Sequence, residues 1–170
     1  MGLAIVIALL CLAGIYLLLE KPAPYGVWYG LAKLTGARLD IERVNWATLT
    51  RHPTPNDALA CPPELCPNAR PDIEPRIYPA EPSALLARLR DIARAEPDMH
   101  ELSCEPDCER VARFLQRTRV MRFPDTIDVE VFPAAGGSTL AIYSRSLIGR
   151  RDFGVNRARV ARWLAALDQI

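Results

Sequence analysis

The sequence predicts an α+β protein: an N-terminal transmembrane helix, then an antiparallel sheet of about four strands with two helices packed on one face. Three observations support this. The chain begins with a long apolar run, its second half holds consecutive segments with strand patterns and short connections, and an amphipathic stretch flanks those segments on each side. Short connections favour antiparallel neighbours, and the two helices would cover the apolar face of the sheet.

The apolar run covers residues 2–19 and carries no charge. As a helix it would reach about 27 Å, close to the roughly 30 Å hydrocarbon core of a bilayer. No Lys or Arg precedes the run and no Ala-X-Ala site follows it, as a cleaved signal would require. Leu10 precedes Cys11, where a lipoprotein signal would carry a small residue. We therefore expect residues 1–20 to be a retained anchor that contacts the lipid bilayer through residues 2–19.

Residues 21–52 are predicted to be a juxtamembrane tether. Aromatic residues just after the anchor suit the headgroup level of a membrane: Tyr25, Trp28 and Tyr29. An amphipathic stretch over residues 30–45 would let Lys33 and Arg38 reach lipid phosphates. We favour a simple tether over a lipid-binding helix.

Residues 53–170 are predicted to be one soluble α+β domain with a Pro-rich N-terminal arm, residues 51–78. An apolar stripe at helical spacing predicts a helix over residues 83–96, with Pro82 in its first turn. Strand patterns follow, with a hairpin loop at residues 134–137, and a second stripe predicts the last helix. The strands are expected at 99–103, 111–121, 126–132 and 138–147, and the last helix at 154–167.

The face of the sheet away from the helices is predicted to be polar. Strand parity places a group of charged and polar side chains there, and cross-strand ion pairs of arginines with Asp128 and Glu130 on a solvated face are the expected arrangement. The group comprises Arg113, Arg117, Arg119, Asp128, Glu130, Tyr143 and Arg145.

The cysteines form two short-range pairs. Cys61 and Cys66 bracket four residues, and Cys104 and Cys108 bracket three. Disulfides are the favoured interpretation, and the sequence does not choose among the three connectivities. A zinc site and free thiols are the alternatives, although neither pair has C-x₂-C spacing.

The densest polar cluster lies where the last strand meets the last helix. Helix N-termini attract anions, so this cluster is a candidate site for a phosphate or carboxylate group. The candidate ligand-binding residues are Arg145, Arg151, Asn156, Arg157, Ser144 and Ser146, with Asp125, Asp128 and Asp152 as supporting carboxylates. The competing interpretation is scaffolding, in which Asp152 caps the helix and Arg145 and Arg157 pair with Asp125 or Asp128.

No catalytic signature is present. Phosphate-binding and dinucleotide fingerprints are absent from the sequence, and the two histidines, His52 and His100, are not placed in any recognisable triad. We expect no cofactor and no metal. The net charge of +1 does not favour nucleic acid as a partner. Asp125 and Asp128 are the residues that an enzymatic alternative would use, although one strand would point them in different directions.

Three segments resemble a known bacterial family: Thr54-Pro-Asn-Asp57, Arg122-Phe-Pro-Asp125, and the block Ser144-Arg-Ser146…Gly149…Asp152-Phe-Gly-Val-Asn-Arg157. Together they resemble the domain of unknown function 1499, over residues 53–166. The resemblance implies a recurrent domain in short envelope proteins, often behind an N-terminal apolar segment, and brings no catalytic residues. Many members have one cysteine near the Thr-Pro-Asn stretch, so the cysteine pairs of this chain are departures from the family pattern.

The expected location is the bacterial inner membrane, with a single pass and a periplasmic domain. The cysteine pairs and the resemblance favour the periplasm, whereas Lys21, Lys33 and Arg38 after the anchor favour the cytoplasm by the positive-inside rule. The expected function is non-enzymatic binding of an anionic envelope component or a partner protein. The alternatives are an envelope hydrolase using Asp125 or Asp128, and a cytoplasm-facing interaction domain tethered to the membrane.

Overall fold

A computed structural model of the protein describes residues 42–51, 53–102 and 109–169, and also residues 5–7, 10–12, 14, 15, 28, 30 and 34. Within these residues the chain forms one antiparallel sheet with the strand order β1-β5-β4-β3-β2. The elements are β1 (Asp57–Ala60), α1 (Pro82–Arg94), β2 (Met99–Leu102), β3 (Val111–Arg117), β4 (Pro124–Ala134), β5 (Gly137–Ser146) and α2 (Val155–Leu167). The predicted α+β class is confirmed.

The prediction of about four strands is wrong, because the described sheet has five. The additional strand is β1, which lies inside the segment that we predicted to be a Pro-rich arm. Four residues between prolines are too few for a clear period-2 pattern. The segment is a strand because it pairs with β5, with Asp57 opposite Arg145 and Ala60 opposite Ile142. Hydrogen bonds to a neighbouring strand, rather than local propensity, make this segment a strand.

Both helices pack on one face of the sheet, as predicted. The stripe Leu85, Leu86 and Leu89 of α1 and the residues Val160 and Trp163 of α2 are buried in one core with the inward side chains of β3, β4 and β5. Those inward side chains include Phe114, Ile127, Val129, Leu140 and Ile142. The Trp163 indole meets the Phe114 ring edge-on at 5.7 Å between centroids, a favoured aromatic geometry.

The opposite face of the sheet is covered, and not solvated as we predicted. A second apolar cluster lies on it, formed by Trp46, Leu49 and the Cys61–Cys66 loop against Leu59 and Tyr143. Arg113, Arg117, Asp128 and Arg145, which belong to the predicted polar face, are also buried. The predicted pairing itself is present, since Arg113 Nε lies 3.2 Å from Asp128 Oδ1. Arg119 lies outside β3, in the turn that follows Arg117.

The two ends of the sheet are closed differently. At the hairpin end, Ala135 and Gly136 connect β4 to β5 in a tight turn, and Tyr78 exchanges two backbone hydrogen bonds with Ser138. At the other end, which we call the loop end, three longer segments meet: residues 50–56, 118–123 and 147–154. Backbone bonds join them, from Ser146 N–H to the Asn56 carbonyl and from Leu147 N–H to the Pro124 carbonyl, both 3.0 Å.

The predicted anchor and tether lie largely outside the described residues. Positions 5–7, 10–12, 14 and 15 of the apolar run are helical, and their large apolar side chains are about half exposed or more. Among the residues that the structure describes, no single helix is both long and apolar enough to cross a bilayer. Residues 46–48 of the predicted tether form a short 3₁₀ helix.

Candidate functional site

The structure divides the predicted polar cluster between the two faces of β5. Ser144 faces the helices and contacts Asn156 of α2, both fully buried, whereas Arg145 faces the opposite side beside Tyr143. Neighbouring residues of a strand point to opposite faces, so one strand end could not present all the predicted side chains to a single ligand. The sequence-predicted residues therefore form two groups with different surroundings.

The helix-facing group is a buried hydrogen-bond network around Arg159. The Arg159 guanidinium donates to Ser144 Oγ at 2.7 Å, to Asn156 Oδ1 at 2.6 Å and to Asp125 Oδ2 at 3.0 Å. Its Nε–H donates to Gln116 Oε1 at 2.8 Å. Each polar group at this position has a partner within the fold, which is what burial demands. Ser144 and Asn156 are thus part of the scaffold that joins α2 to the sheet.

The Asn156 amide also ties α2 to the segment before β1. Its Nδ2 donates to the Asn56 carbonyl at 3.0 Å and to Ser146 Oγ at 3.1 Å. The Asn56 side chain in turn donates to the carbonyls of Ser146 and Gly149. These bonds hold residues 50–56 and 147–154 in one arrangement at the loop end.

Burial raises the pKa of the Asp125 carboxyl, although the charge of Arg159 and hydrogen bonds from Ser146 and Arg159 act in the opposite direction. Asp128, the other carboxylate of the predicted pair, faces the opposite side of β4 and meets Arg113 at 3.2 Å and Arg145 at 3.8 Å. The two aspartates therefore do not share a site. Asp125 also lines a cavity of about 530 Å³ together with Arg159 and Gln116.

The N-cap residue of α2 is Gly154 and not Asp152 as predicted, but the Asp152 side chain caps the start of the helix from two residues earlier. Its carboxylate accepts the backbone N–H of Gly154 at 3.0 Å and of Asn156 at 2.8 Å. These are donors at the helix start that lack partners within the helix. A carboxylate thus already occupies the N-terminus of α2, where the sequence suggested an external anion.

The second group surrounds a pocket of about 360 Å³ between residues 50–56 and the end of β5. Both charged residues in its lining are arginines. The remaining lining residues contribute hydroxyl groups, an amide and small apolar surfaces. The lining consists of Thr50, Arg51, Pro53, Thr54, Asn56, Tyr143, Arg145, Ser146, Leu147 and Gly149.

The two arginines of this pocket are held in place by hydrogen bonds. Arg51 donates to Asp57 Oδ1 at 2.6 Å and to the Arg70 carbonyl at 2.9 Å, and its Nη1 also lies 2.9 Å from Asp72 Oδ2. Arg145 donates to the Glu42 carbonyl at 2.8 Å and to Thr126 Oγ1 at 3.3 Å, with its guanidinium carbon 5.3 Å from the centre of the Tyr143 ring. Held guanidinium groups suit anion recognition, since less side-chain entropy is lost when the ligand binds.

Tyr143 links the pocket to Asp57. Its hydroxyl donates to Asp57 Oδ2 at 2.6 Å. Burial raises the pKa of this phenol strongly, and the hydrogen bond to Asp57 and that carboxylate's charge raise it further. The hydroxyl therefore stays neutral at physiological pH and acts as a hydrogen-bond donor rather than as a base.

The other predicted arginines are exposed. Arg151 lies with Arg150 beside residues 53–55, where these residues line a separate cavity. Arg157 is 66% exposed and its nearest described carboxylate, Asp72, is 4.0 Å away. Neither Arg151 nor Arg157 lies in the lining of the pocket that contains Arg145 and Ser146.

Sequence reasoning missed Arg51 and Arg159 as site residues, and it placed Tyr143 among the polar side chains without giving it a role in the site. Arg159 falls in the apolar stripe of α2, between Asn156 and Val160, and a charged residue within such a stripe signals a buried partner. Arg51 had no comparable signal, because β1, which brings Asp57 beside it, was not recognised.

One of the predicted disulfides is present: Cys61 and Cys66 are bonded to each other. Cys104 and Cys108 lie outside the described residues. Cys11 is a free, exposed thiol. Among the described residues, no group of three or more His, Cys, Asp or Glu side chains could hold a metal ion.

Comparison with protein-family models identifies the family of this domain. The model of the family described as "Protein of unknown function (DUF1499)" matches residues 48–167. The chain belongs to this family. The matched range begins within the short 3₁₀ helix, so β1, the sheet, both helices and the pocket all belong to the family domain. No curated protein is detectably similar to the chain.

Proposed function

We propose that this protein is a non-enzymatic binding module of the bacterial cell envelope, and that the pocket lined by Arg51 and Arg145 binds an anionic group. The observation that carries the proposal is the charge of the lining, which is contributed by arginines alone. The hydroxyl group of Thr50 adds neutral hydrogen-bonding capacity. A volume of about 360 Å³ is enough for a phosphate or carboxylate group with a small substituent.

Phosphate is the more suitable probe, because guanidinium groups bind its oxygens in a bidentate manner. The test is a titration of the full chain in mild detergent with inorganic phosphate, followed by calorimetry or by NMR. We expect saturable binding that Arg51→Gln weakens about tenfold or more, since a hydrogen bond to a charged group contributes about 1.5–3 kcal/mol. Acetate in place of phosphate distinguishes the two anion classes.

Arg90→Gln is the matched control. Arg90 is also partly buried, and like Arg51 it pairs with a carboxylate, Glu101, and donates to a backbone carbonyl, that of Val111. It lies on α1, on the other side of the sheet, so the substitution should leave phosphate binding unchanged. Absence of saturable binding in the wild-type chain, or equal affinity of Arg51→Gln and the wild type, would contradict the proposal.

The proposed location is the bacterial inner membrane, with residues 2–19 as a single-pass anchor and the domain in the periplasm. The exposed apolar side chains at described positions of the run support a lipid environment. The Cys61–Cys66 disulfide supports an oxidising compartment. A C-terminal fusion to alkaline phosphatase tests the orientation, because that enzyme is active only after export. An inactive fusion would support the cytoplasm-facing alternative.

A hydrolase that uses Asp125 is the second candidate. The raised pKa of this carboxyl and its place beside a cavity favour it. It ranks below binding because Arg159 and Ser146 already engage the carboxylate, and because Asp128 lies on the opposite face. Chromogenic phosphate and acetate esters are suitable substrates. Turnover by the wild type that Asp125→Asn abolishes would establish this alternative.

A further inference from the structure

The loop end carries exposed apolar side chains on two neighbouring segments. Phe153 is 95% exposed and Val120 is 78% exposed, with Met121 and Val155 about half exposed. The two segments face each other across one cavity, whose lining includes Thr118, Arg119 and Val155. Exposed large apolar residues that cluster at one end of a domain mark an interaction surface.

The fold supports both groups of exposed apolar side chains, which we call the apolar tips: Val120 and Met121 on one segment, and Phe153 and Val155 on the other. Thr118 holds the first segment through its backbone and hydroxyl bonds to Phe123, and Arg122 pairs with Asp98 at 2.9 Å. Phe153 follows the capping residue Asp152 and has a φ of 55°. A positive φ costs about 1–2 kcal/mol in a residue other than glycine, so the chain holds this ring outward at some expense of stability.

A basic rim surrounds the apolar tips. Arg119, Arg150 and Arg151 are all exposed. The nearby carboxylates are engaged, since Asp98 pairs with Arg122 and Asp152 caps α2. Exposed apolar side chains beside a positively charged rim match the composition of an anionic lipid surface, where each basic residue contributes about 1 kcal/mol of attraction.

The chain connects this surface to the predicted anchor. Trp28 Nε1 donates to the Met121 carbonyl at 2.9 Å, and its indole lies 4.7 Å from the Phe123 ring. The apolar run ends at Leu19, which even a fully extended chain would place within about 30 Å of Trp28. A membrane that holds residues 2–19 therefore lies close to the loop end.

We propose that the loop end rests on the surface of an anionic phospholipid bilayer, with Phe153 and Val120 inserted at the headgroup level and the arginine rim facing lipid phosphates. A second copy of the chain fits this surface poorly, because two arginine rims would repel each other. The inference rests on the proposed anchor but not on anion binding in the pocket, and it concerns residues outside that pocket.

The test uses the full chain in nanodiscs that contain phosphatidylglycerol with brominated acyl chains. A tryptophan replaces one exposed apolar residue in each of two variants, Phe153→Trp at the loop end and Ile77→Trp near the hairpin end, where Ile77 is 49% exposed. Insertion to a depth of about 5–10 Å would bring the first indole near the bromine atoms. We expect the added fluorescence of Phe153→Trp to be quenched at least about twice as strongly as that of Ile77→Trp.

Two further arms decide the role of charge. In nanodiscs of phosphatidylcholine alone, brominated in the same way, or in the triple variant Phe153→Trp, Arg150→Gln, Arg151→Gln, the excess quenching should fall, because the electrostatic attraction is removed. The proposal would be overturned by equal quenching at positions 153 and 77, or by excess quenching at position 153 that is the same in anionic and zwitterionic lipids. It would also be overturned by a chain that does not enter nanodiscs. The phosphate titration contains no phospholipid, so it tests the pocket separately.

Discussion

The two ends of the sheet are stabilised by different means. At the hairpin end the backbone closes on itself, through a tight turn between β4 and β5 and the paired backbone bonds of Tyr78 and Ser138. At the loop end the backbone bonds of Ser146 and Leu147 are supplemented by side-chain bonds, with Arg159, Asn156 and Asn56 joining the segments. A backbone closure leaves no groups for a ligand, whereas the loop end leaves a pocket, exposed arginines and apolar tips. Function is therefore expected at the end where side chains make many of the connections.

Removing Arg159 should have the largest effect on stability, because it breaks the connections of the loop end. Arg159→Met would leave the Asp125 carboxylate buried without its ion-pair partner, which costs about 3–5 kcal/mol. Urea denaturation of the full chain in detergent measures this loss. Arg162→Met, on the same helix at a position 57% exposed in its side chain, is the control and should cost less than about 1 kcal/mol. Equal losses in the two variants would show that the buried network is not what holds the loop end.

The corresponding change at the hairpin end is Gly137→Ala. Gly137 has a φ of 149°, and a Cβ there would lie 2.0 Å from the Tyr78 carbonyl oxygen. We expect a loss of about 2–3 kcal/mol in unfolding free energy, because the bonds of Tyr78 to Ser138 must yield.

Gly136→Ala separates backbone strain from this close approach. Gly136 also has a positive φ, 87°, but a Cβ there meets no atom within 4 Å. It should cost only about 1 kcal/mol. If Gly136→Ala costs as much as Gly137→Ala, then backbone strain, and not the close approach to Tyr78, accounts for the cost of a side chain at Gly137.

Tyr143→Phe sharpens the comparison by testing one side-chain bond at the loop end. The variant removes the hydroxyl that donates to Asp57 at 2.6 Å, while Asp57 keeps its bond to Arg51. We expect a loss of about 1–2 kcal/mol, measured by urea denaturation. Tyr78→Phe, at the hairpin end, should cost less, because backbone bonds hold that residue. A reversed order would contradict the contrast between the ends.

Glu96→Gln should have the smallest effect, and it depends on pH. Burial alone would raise the pKa of Glu96, but hydrogen bonding and the charge of Arg162, which donates at 2.8 Å, outweigh burial and lower it. The folded protein then holds this proton less tightly than the unfolded chain does. The stability that the Glu96 carboxylate contributes is therefore present above the pKa of the unfolded chain and is lost as pH falls through the pKa of the folded protein.

At neutral pH the Glu96→Gln variant should therefore be less stable than the wild type by up to about 1 kcal/mol. The difference should vanish in acid, which unfolding curves measured between pH 7 and pH 3 would show. A difference that is constant across this range would mean that the carboxylate charge is not responsible.

Local patterns predicted much of the fold. The period-2 pattern of β4 and β5 and the stripes of α1 and α2 depend only on neighbouring residues, and they placed these elements to within a few positions. The four-residue β1 has no such pattern, so its existence depends on β5. The predicted solvated face was wrong for the same reason, because the segments that cover it are distant in sequence from the strands they contact.

The candidate site was less predictable than the fold. The sequence indicated that polar residues gather where β5 meets α2, and it identified Asp152 as a cap. It could not show that Ser144 and Arg145 lie in different surroundings, because that depends on which residues pack against each face of β5. It also could not pair Arg51 with Asp57, because their partnership with Tyr143 exists only once β1 joins the sheet.

By itself, the sequence determined the α+β class, the two helices on one face, most strands and membership of the DUF1499 family, because periodicity and motifs are local properties of the chain. Only the tertiary structure decided which arginine is buried and which is available. Burial of a charged group depends on partners from several elements: Arg159 acquires Asp125, Asn156 and Gln116, whereas Arg150 and Arg151 remain at the surface. Long-range packing, and not local pattern, therefore separates the scaffold of this protein from its candidate binding surface.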